Sequence, residues 1–367
     1  MLFADLAAAS AAVTAVSSRR AKIDLLAGAL RALAATGDPV EIEAGAAYLA
    51  GELRQRQIGV GWATVREHPP PAATPTLSVR DVDTRLAEIG LLAGAGSQAR
   101  RRALVHEVFA AATVDEQRML NGLVSGELRQ GAQAGLLADA VARAAEVDPT
   151  DVRRALLLRG ELKAVAAAAL TGGAAALGEF RLTVGRPLAP MLAQSASGID
   201  EALAATGTPA GVDAKLDGIR IQVHRNGDDV AAFSRSLDDL TARVPEIVAF
   251  ARQVPADVFV LDGEALAVDD GGRPRPFQET SGRAARHTDG ALKPFFFDAL
   301  HLDGTDLIDL PGRDRWTALD AVVPESMRVA RTVVDAPEQA RAIYTAALAA
   351  GQEGVVVKAA AAPYDVG

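Results

Sequence analysis

The sequence predicts two unlike domains in tandem, all-helical over residues 1–183 and α+β with antiparallel sheets over 184–367. Three observations predict this. A chain of 367 residues exceeds one ordinary hydrophobic core. Apolar residues recur at three- and four-residue spacing up to about Thr183, then alternate in short runs, so the period changes from helix to strand. Alanine dominates the first half and β-branched runs are rare there, which favours helix.

In the helical half, residues 103–109 and 119–124 place apolar side chains on one helix face. The segment Gly51-Glu52-Leu53-Arg54-Gln55 returns as Gly126-Glu127-Leu128-Arg129-Gln130. Each copy runs into a glycine-containing turn (Gly59 and Gly61, then Gly131 and Gly135) and a new helix, which reads as a duplicated helix–turn–helix unit. Glycines at a helix start leave backbone N–H groups free, and Arg54 and Arg129 stand nearby, an arrangement suited to phosphate. One such turn reads equally well as helix-end punctuation, as Gly94-Ala95-Gly96 does; duplication puts two on one surface and leans towards phosphate contact. Pro69-Pro70-Pro71-Ala72-Ala73-Thr74-Pro75 separates the copies as a stiff, extended connector. In the second half, residues 219–224, 230–233, 258–261, 294–298 and 354–357 read as strands, with helices expected at 238–253 and 336–350.

Bulk properties exclude several classes. Zero cysteines rule out disulfides and thiolate metal sites and fit a reducing compartment. The five histidines show no zinc-ligand spacing. The apolar start carries Asp5 and no basic region, and the alanine runs after 164 are too short for a bilayer, so a soluble, cytoplasmic, monomeric protein is expected. The net charge of −9 lies wholly after residue 183, because the first 183 residues hold 20 basic and 20 acidic side chains. Arg19-Arg20, Arg100-Arg101-Arg102 and Arg153-Arg154 can thus form a basic face, or simply solvated helix surfaces.

The chemistry concentrates at Lys215-Leu216-Asp217-Gly218-Ile219-Arg220. A lysine at a strand edge supplies an amine nucleophile, the glycine lets backbone approach closely, and the arginine binds oxyanions. Alone the match is suggestive only. Further candidates follow in order, each on a strand or strand edge: Ser234-Arg235-Ser236, Asp262-Gly263-Glu264, Phe297-Asp298 and Glu353-Gly354-Val355-Val356-Val357-Lys358. Singly, Phe295 and Phe296 read as core and Asp262 as a turn cap.

In this order the motifs resemble those of the ATP-dependent DNA ligases, covalent nucleotidyltransferases. Residues 186–193 are similar to the start of their adenylation domain, and the helical half with its Gly-Glu-Leu-Arg turns resembles the DNA-binding domain of larger, particularly actinobacterial, members. The resemblance implies that Lys215 attacks the α-phosphorus of ATP to form lysyl-AMP, which passes to a DNA 5′-phosphate and is displaced by the 3′-hydroxyl of a nick. It implies ATP contacts from Asp213, Arg220, Arg235, Glu264, Phe297 and Lys358, with Phe297 stacking on adenine and Lys358 neutralising the α-phosphate. Glu264 and Glu353 would serve Mg²⁺. Arg54, Gly59, Gly61, Arg129, Gly131 and Gly135 would contact nicked double-stranded DNA. The resemblance implies a place in replication, repair or recombination without choosing among them.

Two departures qualify the resemblance. Asp213 stands where the family usually has glutamate, one methylene longer towards the adenine edge. Family members continue past a segment like Pro363-Tyr364 into further lysines and an OB-fold domain, whereas this sequence ends at Gly367. The expectation is a chain that binds DNA and self-adenylylates poorly. A capping-type guanylyltransferase shares the lysine motif, and a DNA-binding fragment without ligase activity is the rival of another class; NAD-dependent ligases are disfavoured by the absence of cysteine.

Overall fold

The structure, a computed structural model, describes residues 1–55, 57–61, 69–128, 134–268, 292–349 and 352–365. Two compact units divide the chain, Met1–Arg181 and Leu182–Gly367.

The described part of the first unit is helical: α1 (Phe3–Ala15), α2 (Arg19–Ala34), α3 (Pro39–Leu49), α4 (Val79–Leu91), α5 (Ser97–Ala111), α6 (Val114–Ser125), α7 (Ala134–Ala145), α8 (Pro149–Arg159) and α9 (Leu162–Leu177). Local chemistry starts several of these helices. Asp38 and Asp148 accept N–H bonds at the N-caps of α3 and α8, each with proline in the first turn. Ser78 and Thr113 form reciprocal capping boxes with Asp81 and Glu116 at the starts of α4 and α6. The apolar faces meet in one core around Phe3, Leu30, Ile42, Tyr48, Leu49 and Phe109.

The repeated pentapeptides form matching turns. After α3 and α6, Gly51 (φ 79°) and Gly126 (φ 70°) take the left-handed conformation. The N–H of the following glutamate then reaches five residues back, Glu52 to the Ala47 carbonyl and Glu127 to the Gly122 carbonyl, both at 2.9 Å. The two turns also pack together, since a Cβ on Gly51 would lie 3.5 Å from Leu128 Cβ; within the second turn, one on Gly122 would lie only 2.8 Å from Leu128 Cδ1. The proline-rich connector is tied down: Ala72 N–H bonds the Ala112 carbonyl at 2.9 Å and Gln117 Nε2 bonds the Pro69 carbonyl at 3.1 Å.

The second unit contains α10 (Ile199–Thr206), β1 (Ala210–Ala214), β2 (Ile219–Asn226), β3 (Asp229–Ser234), α11 (Pro245–Ala251), β4 (Val258–Ala267), β5 (Leu292–Leu302), β6 (Thr305–Asp306), α12 (Gly312–Val322), β7 (Arg331–Val334), α13 (Pro337–Ala349) and β8 (Val355–Ala359). The strands form two antiparallel sheets, ordered β7-β1-β8 and β3-β2-β4-β5-β6. Ile221, Val223, Phe259, Leu261 and Phe296 build the core of the larger sheet, and Val212, Val334 and Ala340 that of the smaller. The helix expected over 238–253 is shorter. Leu240 N–H still bonds the Ala232 carbonyl, and Pro245, lacking an N–H, sets the first turn of α11.

A polar clip holds residues 185–188 against β2. Gly185 N–H donates to His224 Nδ1 at 3.0 Å, so the other ring nitrogen carries the proton and donates to Gln222 Oε1 at 2.8 Å; that oxygen also accepts Leu188 N–H at 2.8 Å. Burial drives the His224 pKa down from 6.5 to about 3, with His301 adding to the shift. The unfolded chain therefore takes up a proton at His224 below pH 6.5 while the folded protein does not, and stability falls from pH 6.5 towards about 3. Urea unfolding is expected to show a loss of about 2 kcal/mol between pH 6.5 and 5 that His224→Leu lacks. Equal pH slopes in the two proteins would refute this.

Candidate functional site

Strand pairing brings Lys215 to Glu353. β1 lies between β7 and β8, with Ala214 opposite Val355. One step further, Lys215 N–H bonds the Gly354 carbonyl at 3.3 Å, and Lys215 Nζ meets Glu353 Oε2 in an exposed ion pair. The segment between Lys215 and β2 passes tightly over β4. A Cβ on Gly218 would lie 2.4 Å from the Ala265 carbonyl oxygen and 2.9 Å from Glu264 Cγ, so only glycine fits there.

Asp213, two residues before the lysine, is buried and gripped from both neighbouring strands. Arg331 stands directly opposite on β7, and its Nε and Nη2 donate to the two carboxylate oxygens at 2.5 and 2.7 Å. Lys358 lies diagonally across on β8 and approaches Oδ2 at 2.8 Å. Burial alone would raise the Asp213 pKa, but Lys358 and Arg331 outweigh it and hold the carboxyl below its usual range. The amine of Lys358 also lies 4.2 Å from the Phe297 ring centroid, with the Arg220 guanidinium at 5.2 Å from the same ring.

Arg220 is committed to a buried network. Its Nε and Nη2 donate to Asp262 at 3.1 and 2.6 Å, Nη1 to the Met191 carbonyl at 2.6 Å, and Nη2 to Tyr364 Oη at 3.3 Å. Tyr364 donates to Asp262 at 2.7 Å and accepts Met191 N–H at 3.0 Å. Burial opposes the charge on Arg220, yet Asp262 holds the guanidinium protonated, while burial and Asp262 keep the Tyr364 phenol protonated. Asp298, of the Phe-Asp motif, likewise takes a two-point fork from buried Arg315 at 2.8 and 3.0 Å.

Glu264 lies opposite Arg220 on β4. Burial raises its pKa to about 7, against the opposing pull of Arg220 and a Gly218 N–H bond. Arg235 is exposed at the end of β3, beside a turn in which Ser234 Oγ accepts Ser236 and Asp238 N–H at 3.2 and 3.1 Å. The geometry thus brings Lys215 to Glu353, and both Lys358 and Arg220 to the Phe297 ring. Sequence reading missed Arg331, Met191 and Tyr364 as partners, because no local pattern marks a residue whose place comes from a strand pairing or a distant segment.

In the first unit, Arg54 turns inward. Its Nε and Nη2 hold the buried Asp83 carboxylate at 2.7–3.1 Å, Gln55 Nε2 adds 2.7 Å to Asp83 Oδ1, and Lys163 bonds the Arg54 carbonyl at 2.8 Å. Gly59 takes φ 67° and lies against the Arg101 guanidinium, Gly61 has open space where a Cβ would be, and Gly135 is exposed on α7. Arg129 and Gly131 lie outside the described residues.

Residues 190–367 match the family described as ATP dependent DNA ligase domain, and residues 63–142 match DNA ligase N terminus. A probable DNA ligase of Mycolicibacterium vanbaalenii is 52% identical over all of this chain and 70% of its own length. The chain belongs to the ATP-dependent DNA ligase family. A probable DNA ligase of Kineococcus radiotolerans is 50% identical, again over the whole chain and 73% of its own length. The solved structure named Pmar-Lig_Pre shares the fold over 99% of this chain and 75% of its own, with TM-score 0.55 at 15% identity. Among the described residues no helix is long and apolar enough to cross a membrane.

Two outcomes are expected. Glu264 has a raised pKa, so its ionisation costs stability as pH climbs from 4.5 through about 7. Glu264→Gln should therefore be more stable than the parent by about 2 kcal/mol at pH 8 and indistinguishable at pH 4 in thermal melts. Arg54→Met leaves the buried Asp83 uncompensated and should cost the first unit about 3 kcal/mol, read from urea unfolding; a neutral result would mean Arg54 does not hold the turn.

Proposed function

We propose that the second unit of this ligase carries out adenylyl transfer from ATP and that the helical unit holds nicked double-stranded DNA. The observation that carries the first reading is Lys215 at the end of β1, beside Glu353, on the sheet that also bears Asp213 and Lys358. An ammonium has no lone pair, so the contact with Glu353 must be given up before Lys215 can react. With one proton given to solvent, the free amine attacks the α-phosphorus: the N–P bond forms, the P–O bond to the β-phosphate breaks, and pyrophosphate leaves with the electron pair while the nitrogen gives up one further proton to solvent. Lys358 would neutralise the α-phosphate and Phe297 would offer its ring to the adenine. Arg235, exposed at the end of β3, is free to reach a phosphate or the ribose. Arg220 would stand beside the same ring while staying anchored to Asp262.

The donor chemistry fits magnesium, which takes one or two carboxylates and completes its shell with water and phosphate oxygens. Glu264 and Glu353 are the carboxylates that would hold it; bound there, the ion supplies positive charge to the triphosphate. Among the described residues no group of three or more His, Cys, Asp or Glu forms a site without the nucleotide. For the DNA partner, the duplicated turns are the proposed contacts: Gly59, Gly61 and Gly135, and from the sequence Arg129 and Gly131, would offer backbone N–H groups and charge to phosphates, while Arg54 holds its turn through Asp83. The protein would act as a monomer in the cytoplasm, on the nucleoid.

Incubation with α-labelled ATP and magnesium tests the reading. Alkali-stable, acid-labile label should appear on Lys215, none on Lys215→Ala, and chelation by EDTA should abolish it; label from GTP in preference to ATP would point to a capping-type enzyme. Binding to nicked duplex should weaken steeply with salt, as expected when basic groups displace counterions. Salt-independent binding would remove the DNA assignment from the helical unit.

A further inference from the structure

Arg331 lies outside every motif that carries the family resemblance, on β7 directly opposite Asp213. It is more firmly held than any other group around that carboxylate. Its guanidinium forks onto both Asp213 oxygens at 2.5 and 2.7 Å, donates to the Phe297 carbonyl at 2.8 Å, and lies 4.1 Å from the Trp316 ring centroid. Trp316 in turn packs over Gly211, where a Cβ would come within 2.7 Å of the indole. Lys358 is held differently. It is a more exposed, flexible ammonium, 25% exposed against 12% for Arg331, set between Asp213 Oδ2 and the Phe297 face.

Asp213 carries one negative charge and has two cationic partners. The charge must stay paired because the carboxylate is buried. If Lys358 swings away, the Arg331 fork still satisfies both oxygens. If Arg331 were missing, the departure of Lys358 would orphan a buried carboxylate, and the lysine would be trapped.

We propose that Arg331 is a positioning residue for adenylyl transfer: by satisfying Asp213 it leaves Lys358 free to move from that carboxylate to the α-phosphate. The inference rests on the nucleotide-transfer reading above. Asp213 then remains an ionised acceptor beside the base, fixed in place when the lysine leaves.

The test compares the parent chain with Arg331→Met, Asp213→Asn and Arg331→Met/Asp213→Asn. Single-turnover labelling at saturating α-labelled ATP and magnesium gives the rate, and calorimetry with adenosine, which has no phosphate, gives base-pocket affinity. Arg331→Met should label Lys215 about tenfold or more slowly while its adenosine affinity stays within about threefold. In the double variant, which lacks the trapping charge, loss of Arg331 should slow labelling by no more than about threefold relative to Asp213→Asn alone. A purely structural role would not produce that dependence on Asp213. Should Arg331→Met fail to fold, the double variant compared with Asp213→Asn decides, because neither leaves a buried carboxylate unpaired. Parent-like labelling by a folded Arg331→Met, a double variant more than about threefold slower than Asp213→Asn, or adenosine affinity falling in step with the rate would each overturn the proposal. Absence of label on the parent's Lys215 would instead bring down the nucleotide-transfer reading itself.

Discussion

The second unit depends on the buried carboxylate of Asp262. It faces a cation, a phenol and, through them, a backbone unit far away in sequence: Arg220 on β2, Tyr364 beyond β8 and Met191 ahead of the first strand. Both polar groups of the Met191 peptide unit are satisfied by this cluster, so the segments entering and leaving the unit are fastened to the same point of the larger sheet. A buried ion pair of this kind is costly to assemble and still more costly to break, because either partner alone would be an uncompensated charge. Its value is geometric. It fixes the guanidinium of Arg220 within reach of the Phe297 ring.

The same device recurs. Asp298 receives Arg315, and Asp213 receives Arg331, each through two N–H bonds to two oxygens. Three planar forks therefore hold three acids, two on the adjacent strands β4 and β5 and one on β1 of the smaller sheet, whereas the cations at Lys215 and Lys358 are flexible ammonium groups. Part of the acidic excess of the second half is thus internal wiring, whereas the exposed acids, Asp217 and Glu353 among them, face the solvent side of the site.

Much of this was legible in the sequence. The change of hydrophobic period marks two kinds of structure, and the strands at 219–224, 258–261 and 294–298 appear within β2, β4 and β5. The repeated pentapeptide was readable as a repeat, and both copies adopt the same left-handed glycine turn, since that conformation is dictated locally. The end of β3 was harder. Residues 238–240 keep hydrogen bonding to β3 before any helix begins, a non-local pairing that a helical pattern cannot reveal.

The sequence by itself determined the reactive residue types and their order: a lysine before Asp-Gly, an acid pair after a strand, an aromatic beside an acid, and a lysine closing the last strand. These are properties of short segments, and short segments carry them intact. Only the tertiary structure decided which charges meet. It placed Arg331, with no motif around it, opposite Asp213, turned Arg54 inward onto Asp83, and gave Arg220 to Asp262 and Tyr364. Each of these pairings is set by strand register or helix packing across 29 to 144 residues, and a buried charge accepts whichever partner that packing delivers.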